Sequence, residues 1–278
     1  MPPENSVLVQ KRPSGITTIC INRPHRRNAV DGPTAHKLHA GFISFDNDKS
    51  QKVCVLHGSQ GNFCAGADLQ EVAKISNSTS KSKEEKSNPM QPVTNSNPAP
   101  MGPSRMTLSK PVIAAVAGHA VAGGLELSLL ADLRVVEEDA VFGVFCRRFG
   151  VPLIDGGTVR LQRIIGLGRA MDMILTGRAV GAQEALGMGL ANRVVPKGKA
   201  VEEAMALATQ LLKFPDKCMN GDRKSVYYAA YEAKGLQDAL EFEFENGKSV
   251  VLDESVQGAA KFRDGIGRHG VFDGKAKL

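Results

Sequence analysis

"AGHAVAGGLELSLLADLRVVEEDAVFGVF", residues 117–145, holds the pattern on which the fold turns. Two glycines, Gly123 and Gly124, open an apolar helical run, and a β-branched run, "LRVVEE" (133–138), follows at once. Similar β-branched runs occur at "TTICIN" (17–22), "KVCVLHG" (52–58) and "PVIAAVAG" (111–118), with helix-period segments between several of them. Alternation of this kind implies an α/β fold. The first turn after the glycines carries one acid, Glu126, and Leu129, Leu130 and Leu133 follow it at three, four and seven positions. Its side chain therefore projects from the apolar stripe and not from a wet face. Desolvation would raise the pKa of such a carboxyl and suit it to proton transfer near neutral pH. An acid in a first turn also complements the helix dipole without any chemistry, so both uses are open on these residues alone.

Glycine lets a backbone approach a ligand closely, and the first amides of a helix have no intrahelical partner. "AGGLE" thus places free N–H donors where a ligand oxygen can reach them. A second glycine turn, "NFCAGADLQE" (62–71), follows the run "KVCVLHG" and precedes a short helical pattern. There Ala67 can supply a second amide to the same oxygen, or Asp68 can simply cap the helix. Two backbone donors converging on a carbonyl oxygen stabilise an enolate, and losing one such donor typically costs about 3 kcal/mol.

The remaining sequence bounds the possibilities. A chain of 278 residues can form one large domain or two small ones. With 42% apolar residues, no run approaches the roughly 18 residues that a membrane span needs. The N-terminus has no basic segment followed by an apolar one, so no secretory or transit leader is expected. The net charge of +6 is spread along a chain with three Tyr and no Trp, which suits a small anionic ligand better than nucleic acid. Five cysteines and six histidines show no zinc spacing; reduced thiols are expected, and no metal. Residues 76–105, rich in Ser, Asn, Lys and Pro, read as a mobile insertion. From Lys199 onward the pattern turns helical. The expected division is thus a core of residues 1–198 and a helical region of residues 199–278 that packs onto the core or onto another subunit.

Three familiar motifs are incomplete. "ENGKS" (245–249) lacks the first glycine of a phosphate loop, Phe242 standing there; "HGSQG" (57–61) puts His57 at the first glycine of a hydrolase elbow; "GLGRAM" lacks the third glycine of a dinucleotide fingerprint. Neither nicotinamide nor flavin is implied.

"NFCAGADL", "KPVIAAVAGHAVAGGLELSLLADLRV", "AVFGV" and "DGGTVRLQRIIGLGRAMDMILTGRAVGAQEALGMGLANRVV" resemble, in that order and spacing, the enoyl-CoA hydratase/isomerase (crotonase) family. "RPHRRNAV" (23–30) is similar to the family's early CoA-binding loop, so the resemblance runs from about Val7 to past Val195. It implies a crotonase-like spiral of ββα units with a helical C-terminal region, a homotrimer or dimer of trimers, and an acyl-CoA thioester substrate. No resident cofactor is implied, coenzyme A entering only as part of the substrate. By position, the oxyanion-hole amides are those of Ala67 and Gly123, and the first catalytic carboxylate is Glu126. Contacts to the CoA moiety fall on Arg27, Asn28, Ala29, Ala65, Gly66, Asp68, Leu69 and Gly124.

One departure bears on the chemistry. Family hydratases use a second glutamate in a stretch like "FGxPE", and here "FGVFCRRFGVPLIDGGT" puts Cys146 in its place. An apolar-flanked thiol is commonly inert filling, although Arg147 and Arg148 could lower its pKa. Asp155 stands where dienoyl-CoA isomerases of the family carry an acid, and it is also well placed to cap the helix that follows. Glu126 with Asp155 suits water addition to a trans-2-enoyl-CoA, the expected activity. The alternatives are a dienoyl-CoA or other enoyl-CoA isomerase, and a noncatalytic acyl-CoA-binding protein. The C-terminal Ala276-Lys277-Leu278 resembles a peroxisomal import signal. It implies a peroxisomal location in a eukaryote; in a bacterium the protein is expected in the cytoplasm.

Overall fold

The computed structural model describes residues 5–75, 92–94 and 97–267. The chain divides into two compact units, Met1–Ala208 and Thr209–Leu278. The division lies inside helix Ala200–Leu211 and not at residue 199 as expected. The change of pattern at Lys199 marks a helix start, and the small residues Ala200, Ala204 and Ala208 are buried.

Among the described residues of the first unit, nine strands follow in chain order: β1 (Val7–Lys11), β2 (Ile16–Ile21), β3 (Val53–Gly58), β4 (Val112–Val116), β5 (His119–Val121), β6 (Leu133–Glu137), β7 (Val141–Gly143), β8 (Val180–Gly181) and β9 (Arg193–Val195). Six of them make one sheet in the order β1-β2-β3-β4-β6-β9, and three make a second in the order β5-β7-β8. β1 pairs antiparallel with β2, Val7 opposite Ile21. From β2 onward the large sheet is parallel, with Ile16 opposite Val53, Cys54 opposite Val112, Ile113 opposite Leu133 and Val135 opposite Arg193. β4, β5 and helix α3 (Gly123–Leu130) form one ββα unit; β6, β7 and the helix α4 (Gly157–Ile165) form the next. Each unit adds a strand to both sheets, which winds the chain as a spiral. Parallel strands covered on both faces read as continuous apolar runs, and every residue of β2 and β4 is buried.

Between β2 and β3 lies α1 (Gly32–Asn47), and the further helices α2 (Leu69–Ile75), α5 (Leu167–Thr176), α6 (Ala182–Gly187) and α7 (Ala200–Leu211) follow in chain order. Asp31 starts α1 by accepting the Thr34 amide at 2.9 Å, with Pro33 in its first turn. Leu38, Phe42 and Phe45 lie on its inner face and are fully buried with Ile19, Leu56, Phe63 and Leu125. Truncating any of these to Ala should cost about 2–5 kcal/mol. All eight residues of α3 are buried, so it has no wet face at all. Its last carbonyls are capped from the next strand: Arg134 donates to the Ala131 oxygen at 2.7 Å and to the Ser128 oxygen at 3.3 Å.

The expected mobile insertion 76–105 is corrected at its C-terminal end. Ala99, Met101, Pro103 and Ser104 are buried in a tight turn against α1 and α3. Most of the Ser and Lys that suggested a loop precede this turn, in residues 76–91 and 95–96, which lie outside the described residues. In the second unit, α8 (Asp216–Tyr231) and α9 (Leu236–Val250) pack together, the Tyr228 ring stacked on Phe242 at 3.8 Å between centroids. Asn246 ties the pair by donating to the Gly221 carbonyl at 2.7 Å. All five cysteines are free, four buried and Cys218 exposed.

Candidate active site

The site is built around the first turn of α3. Ala122, which precedes it, has φ 53° and ψ −127°, a conformation that costs a non-glycine residue of order 1–3 kcal/mol. Its amide donates to the Gly143 oxygen at 2.8 Å and its carbonyl accepts the Glu126 amide at 3.2 Å. The strained turn is therefore held from both sides, and it leaves the Gly123 and Gly124 amides as the unpaired start of the helix. Gly124 passes so close to the preceding loop that a Cβ would lie 2.0 Å from the Cys64 oxygen.

That loop carries Ala67. The Val30 amide donates to the Gly66 oxygen and the Asp68 amide to the Val30 oxygen, each at 2.8 Å. A parallel bridge of this form turns the N–H of its central residue, Ala67, away from the partner strand. Gly66 has φ +97°, and a Cβ there would lie 3.0 Å from the Gly123 nitrogen. Gly66 thus packs against the Gly123 amide, and neither the Ala67 amide nor the Gly123 amide has a hydrogen-bond acceptor among the described residues.

Loop 23–31 is zipped to this turn. Ala65 donates its amide to the Arg27 oxygen at 3.1 Å. Arg23, buried, pairs with Asp31 at 2.8 Å and Asp68 at 3.1 Å, and its guanidinium also donates to the Ala29 carbonyl. Asn28, at φ 59°, is fully buried: it accepts the Arg23 amide at 2.9 Å and donates to the Ser59 oxygen at 2.9 Å and the Asn62 oxygen at 2.6 Å. Of the residues expected to meet CoA, the Asn28 and Asp68 side chains are therefore committed to holding the loops. Asp68 also accepts the Gln70 amide at 3.2 Å, the capping role weighed for it from sequence. Arg27 and Leu69 are the exposed side chains of the set; Ala29, Ala65, Gly66 and Gly124 offer backbone.

Glu126 is 2% exposed and Asp155 3%. Oε1 of Glu126 accepts the amides of Asp155 at 2.9 Å and Gly157 at 2.8 Å, so it complements the start of α4 and not that of its own helix. Oδ1 of Asp155 accepts the Met101 amide at 2.9 Å and the Ser104 hydroxyl. The N-cap of α4 is Gly156, which excludes the capping role for Asp155. Each carboxyl thus has one oxygen anchored by two donors, and its other oxygen takes no hydrogen bond from the described residues. Burial, and then the charge of Asp155, push Glu126 up to about 7, against the pull of the Gly157 and Asp155 amides and the Arg160 cation. Burial also raises Asp155 above the usual carboxylate range, opposed by Ser104, the Met101 amide, Arg105 and Arg160. Because Asp155's charge acts on Glu126, the two carboxyls titrate as a coupled pair, both raised by burial. Such a pair can accept a proton at one oxygen and deliver one from another near neutral pH.

Cys146 sits in the single-turn 3-10 segment Phe145–Phe149 and is buried. Burial, and then the charge of Glu126, raise its pKa, and Arg147 offsets this only in part. The thiol stays protonated, as filling would. Three contributors had no sequence signal of their own: Ser104 and Met101, hidden in a stretch of loop composition, and Arg160, one of many surface-type cations.

Residues 11–266 match the family described as enoyl-CoA hydratase/isomerase. Over 225 residues the chain is 31% identical to a Dictyostelium discoideum protein named probable enoyl-CoA hydratase, mitochondrial, covering 81% of this chain and 76% of that protein. It is 36% identical over 181 residues to the enoyl-CoA hydratase EchA19 of Mycobacterium tuberculosis, covering 62% of each, so it spans less than two thirds of that relative. A crystal structure of an enoyl-CoA hydratase from Mycobacterium tuberculosis H37Rv superposes with a TM-score of 0.80 at 29% identity, over 94% of this chain and 96% of that one. The spiral of ββα units, the glycine-opened helix and the match across nearly the whole sequence agree: the chain belongs to the enoyl-CoA hydratase/isomerase family.

Proposed function

We propose that the protein is an enoyl-CoA hydratase, adding water reversibly to a trans-2-enoyl-CoA thioester. The observation that carries this is the pair Glu126 and Asp155, each buried, each with one anchored and one free oxygen, beside the free amides of Ala67 and Gly123. The thioester oxygen sits between those two amides and Asp155 takes a proton from water as its oxygen bonds to the β-carbon. The double-bond electrons move to an enolate held by the amides, and Glu126 delivers its proton to the α-carbon. The proton on Asp155 then returns to Glu126, and the two acids are as they began. The CoA moiety lies along Arg27, Leu69 and the backbone of loops 27–29 and 65–69. No resident cofactor takes part in these steps.

The test is the loss of conjugated-enoyl absorbance with short and medium trans-2-enoyl-CoA, products weighed by mass spectrometry. Gain of one water, abolished by Glu126→Gln with thioester binding retained, is expected. Tight binding with no change in absorbance would sink the hydratase assignment. It would turn attention to dienoyl-CoA or other enoyl-CoA isomerisation by Glu126 and Asp155, and, because Cys146 stands in place of the second glutamate, to a noncatalytic acyl-CoA-binding role.

We further propose a homotrimer or dimer of trimers, supported by exposed apolar side chains in the second unit, where Leu236 is 77%, Phe244 66% and Leu252 82% exposed. Light scattering on the purified chain checks this, and a monomer would refute it. Peroxisomal import through Ala276-Lys277-Leu278, which lies outside the described residues, is tested by the location of a chain lacking those three residues in a eukaryotic cell. No helix among the described residues is long and apolar enough to cross a membrane.

A further inference from the structure

The turn Ala99–Met106 touches both halves of the site. Ala99 and Gly102 exchange backbone hydrogen bonds at 2.9 and 2.8 Å, and Met106 donates to the Pro103 oxygen at 2.8 Å. Gly102 has φ +84° and lies so near α1 that a Cβ would be 2.4 Å from the Ala35 oxygen. On the other side Met101 packs on the first turn of α3, its sulfur 2.6 Å from where a Cβ on Gly123 would be. The turn is thereby wedged between two helices. Its Met101 amide and its Ser104 hydroxyl both end on the same oxygen, Oδ1 of Asp155. The Ser104 bond is not needed to close the turn, and a hydroxyl 1% exposed has no water to replace it.

We propose that Ser104 is a positioning residue: with the Met101 amide it pins Oδ1 of Asp155, so that Oδ2 is the oxygen presented to the substrate water. This rests on the hydration proposed above. The charged and titratable groups around Asp155 are Glu126 from α3, Arg105 from the turn itself and Arg160 from α4, with the buried Cys64 thiol also within reach of its charge. Among these, the Ser104 hydroxyl is the foremost group holding the carboxyl ionised against its burial. Without it the Met101 amide alone holds Oδ1, and the Asp155 carboxyl keeps its proton to higher pH.

The experiment uses the full chain with 13C-labelled aspartate, the Asp155 signal assigned by Asp155→Asn, and follows both its titration midpoint and turnover against pH. In Ser104→Ala the midpoint rises, kcat falls about tenfold with KM little changed, and the low-pH limb of kcat moves to higher pH. Ser104→Thr keeps the hydroxyl and restores all three. If its extra methyl lowers the melting temperature, Ser104→Cys, of similar shape with a weak donor, should give an intermediate midpoint. An unmoved midpoint and an unmoved pH profile in Ser104→Ala overturn the proposal, as does a Cys variant indistinguishable from wild type. A midpoint that rises in Ser104→Ala and returns in Ser104→Thr, while no variant and not even the wild type hydrates enoyl-CoA, upholds the positioning role and rejects the hydratase assignment alone.

Discussion

Gly157→Ala tests whether the start of α4 holds Glu126. A Cβ at residue 157 would lie 2.9 Å from both Cγ and Oε1 of Glu126, and 3.1 Å from its Cδ. Real Cβ atoms do not tolerate such contacts, so the Glu126 side chain or the helix must move, and the 2.8 Å hydrogen bond from the Gly157 amide lengthens or breaks. A hydrogen bond to a charged group is worth about 1.5–3 kcal/mol and an overpacked contact about 1–3 kcal/mol. Against these, alanine gains about 0.5–1 kcal/mol over glycine in a helix. The net expectation is a loss of about 1.5–5.5 kcal/mol in urea denaturation. A second effect separates this substitution from a generic core defect. The Gly157 amide is the first of the groups that pull Glu126 down from the value burial imposes, so its removal raises Glu126 above about 7 and moves the high-pH limb of turnover upward. A loss below about 0.5 kcal/mol with an unshifted limb would refute the assignment of that amide to Glu126.

Gly247→Ala, in α9 where a Cβ meets nothing within 4 Å, should by contrast stabilise by about 0.5–1 kcal/mol, read from the same urea titration. Glu126→Gln should flatten the pH dependence of stability. The folded chain holds that proton more tightly than the unfolded one, so its contribution is full below pH 4.5 and is lost as pH rises through about 7. At about 1.4 kcal/mol per pKa unit this is about 3 kcal/mol, and denaturation at pH 5 and 8 for both proteins measures it; equal slopes would contradict the raised pKa. Arg23→Met removes the cation that Asp31 and Asp68 share, and leaves the buried Asp68 and the half-buried Asp31 without a counter-charge. It should cost about 3 kcal/mol and, by loosening the Ala67 turn, weaken thioester binding, seen by calorimetry.

Glu126 was legible in the sequence for a reason that is only half right. Leu129, Leu130 and Leu133 seemed to define one stripe of an amphipathic helix, yet α3 ends at Leu130 and Leu133 begins β6. The conclusion survives because α3 lies between layers and has no exposed side, so any acid there is buried. The long strands were legible because parallel strands covered on two faces spell out apolar or β-branched runs, as β2, β3 and β4 do. β5, β7, β8 and β9 have two or three residues each, too few for a period to show. Asp155 was singled out by position alone, and its surroundings were not: Met101 and Ser104 come from a segment whose Pro, Ser and Asn content says loop. Composition averages over a segment, and the few side chains that this turn buries between α1 and α3, Met101 foremost, are outnumbered by the polar residues around them. A backbone amide and one small hydroxyl are the hydrogen bonds that Asp155 takes from it, and neither leaves a mark on hydropathy or spacing. The acid is therefore readable from the chain, whereas what orients it becomes visible only when residues 101, 104 and 155 are brought together in space.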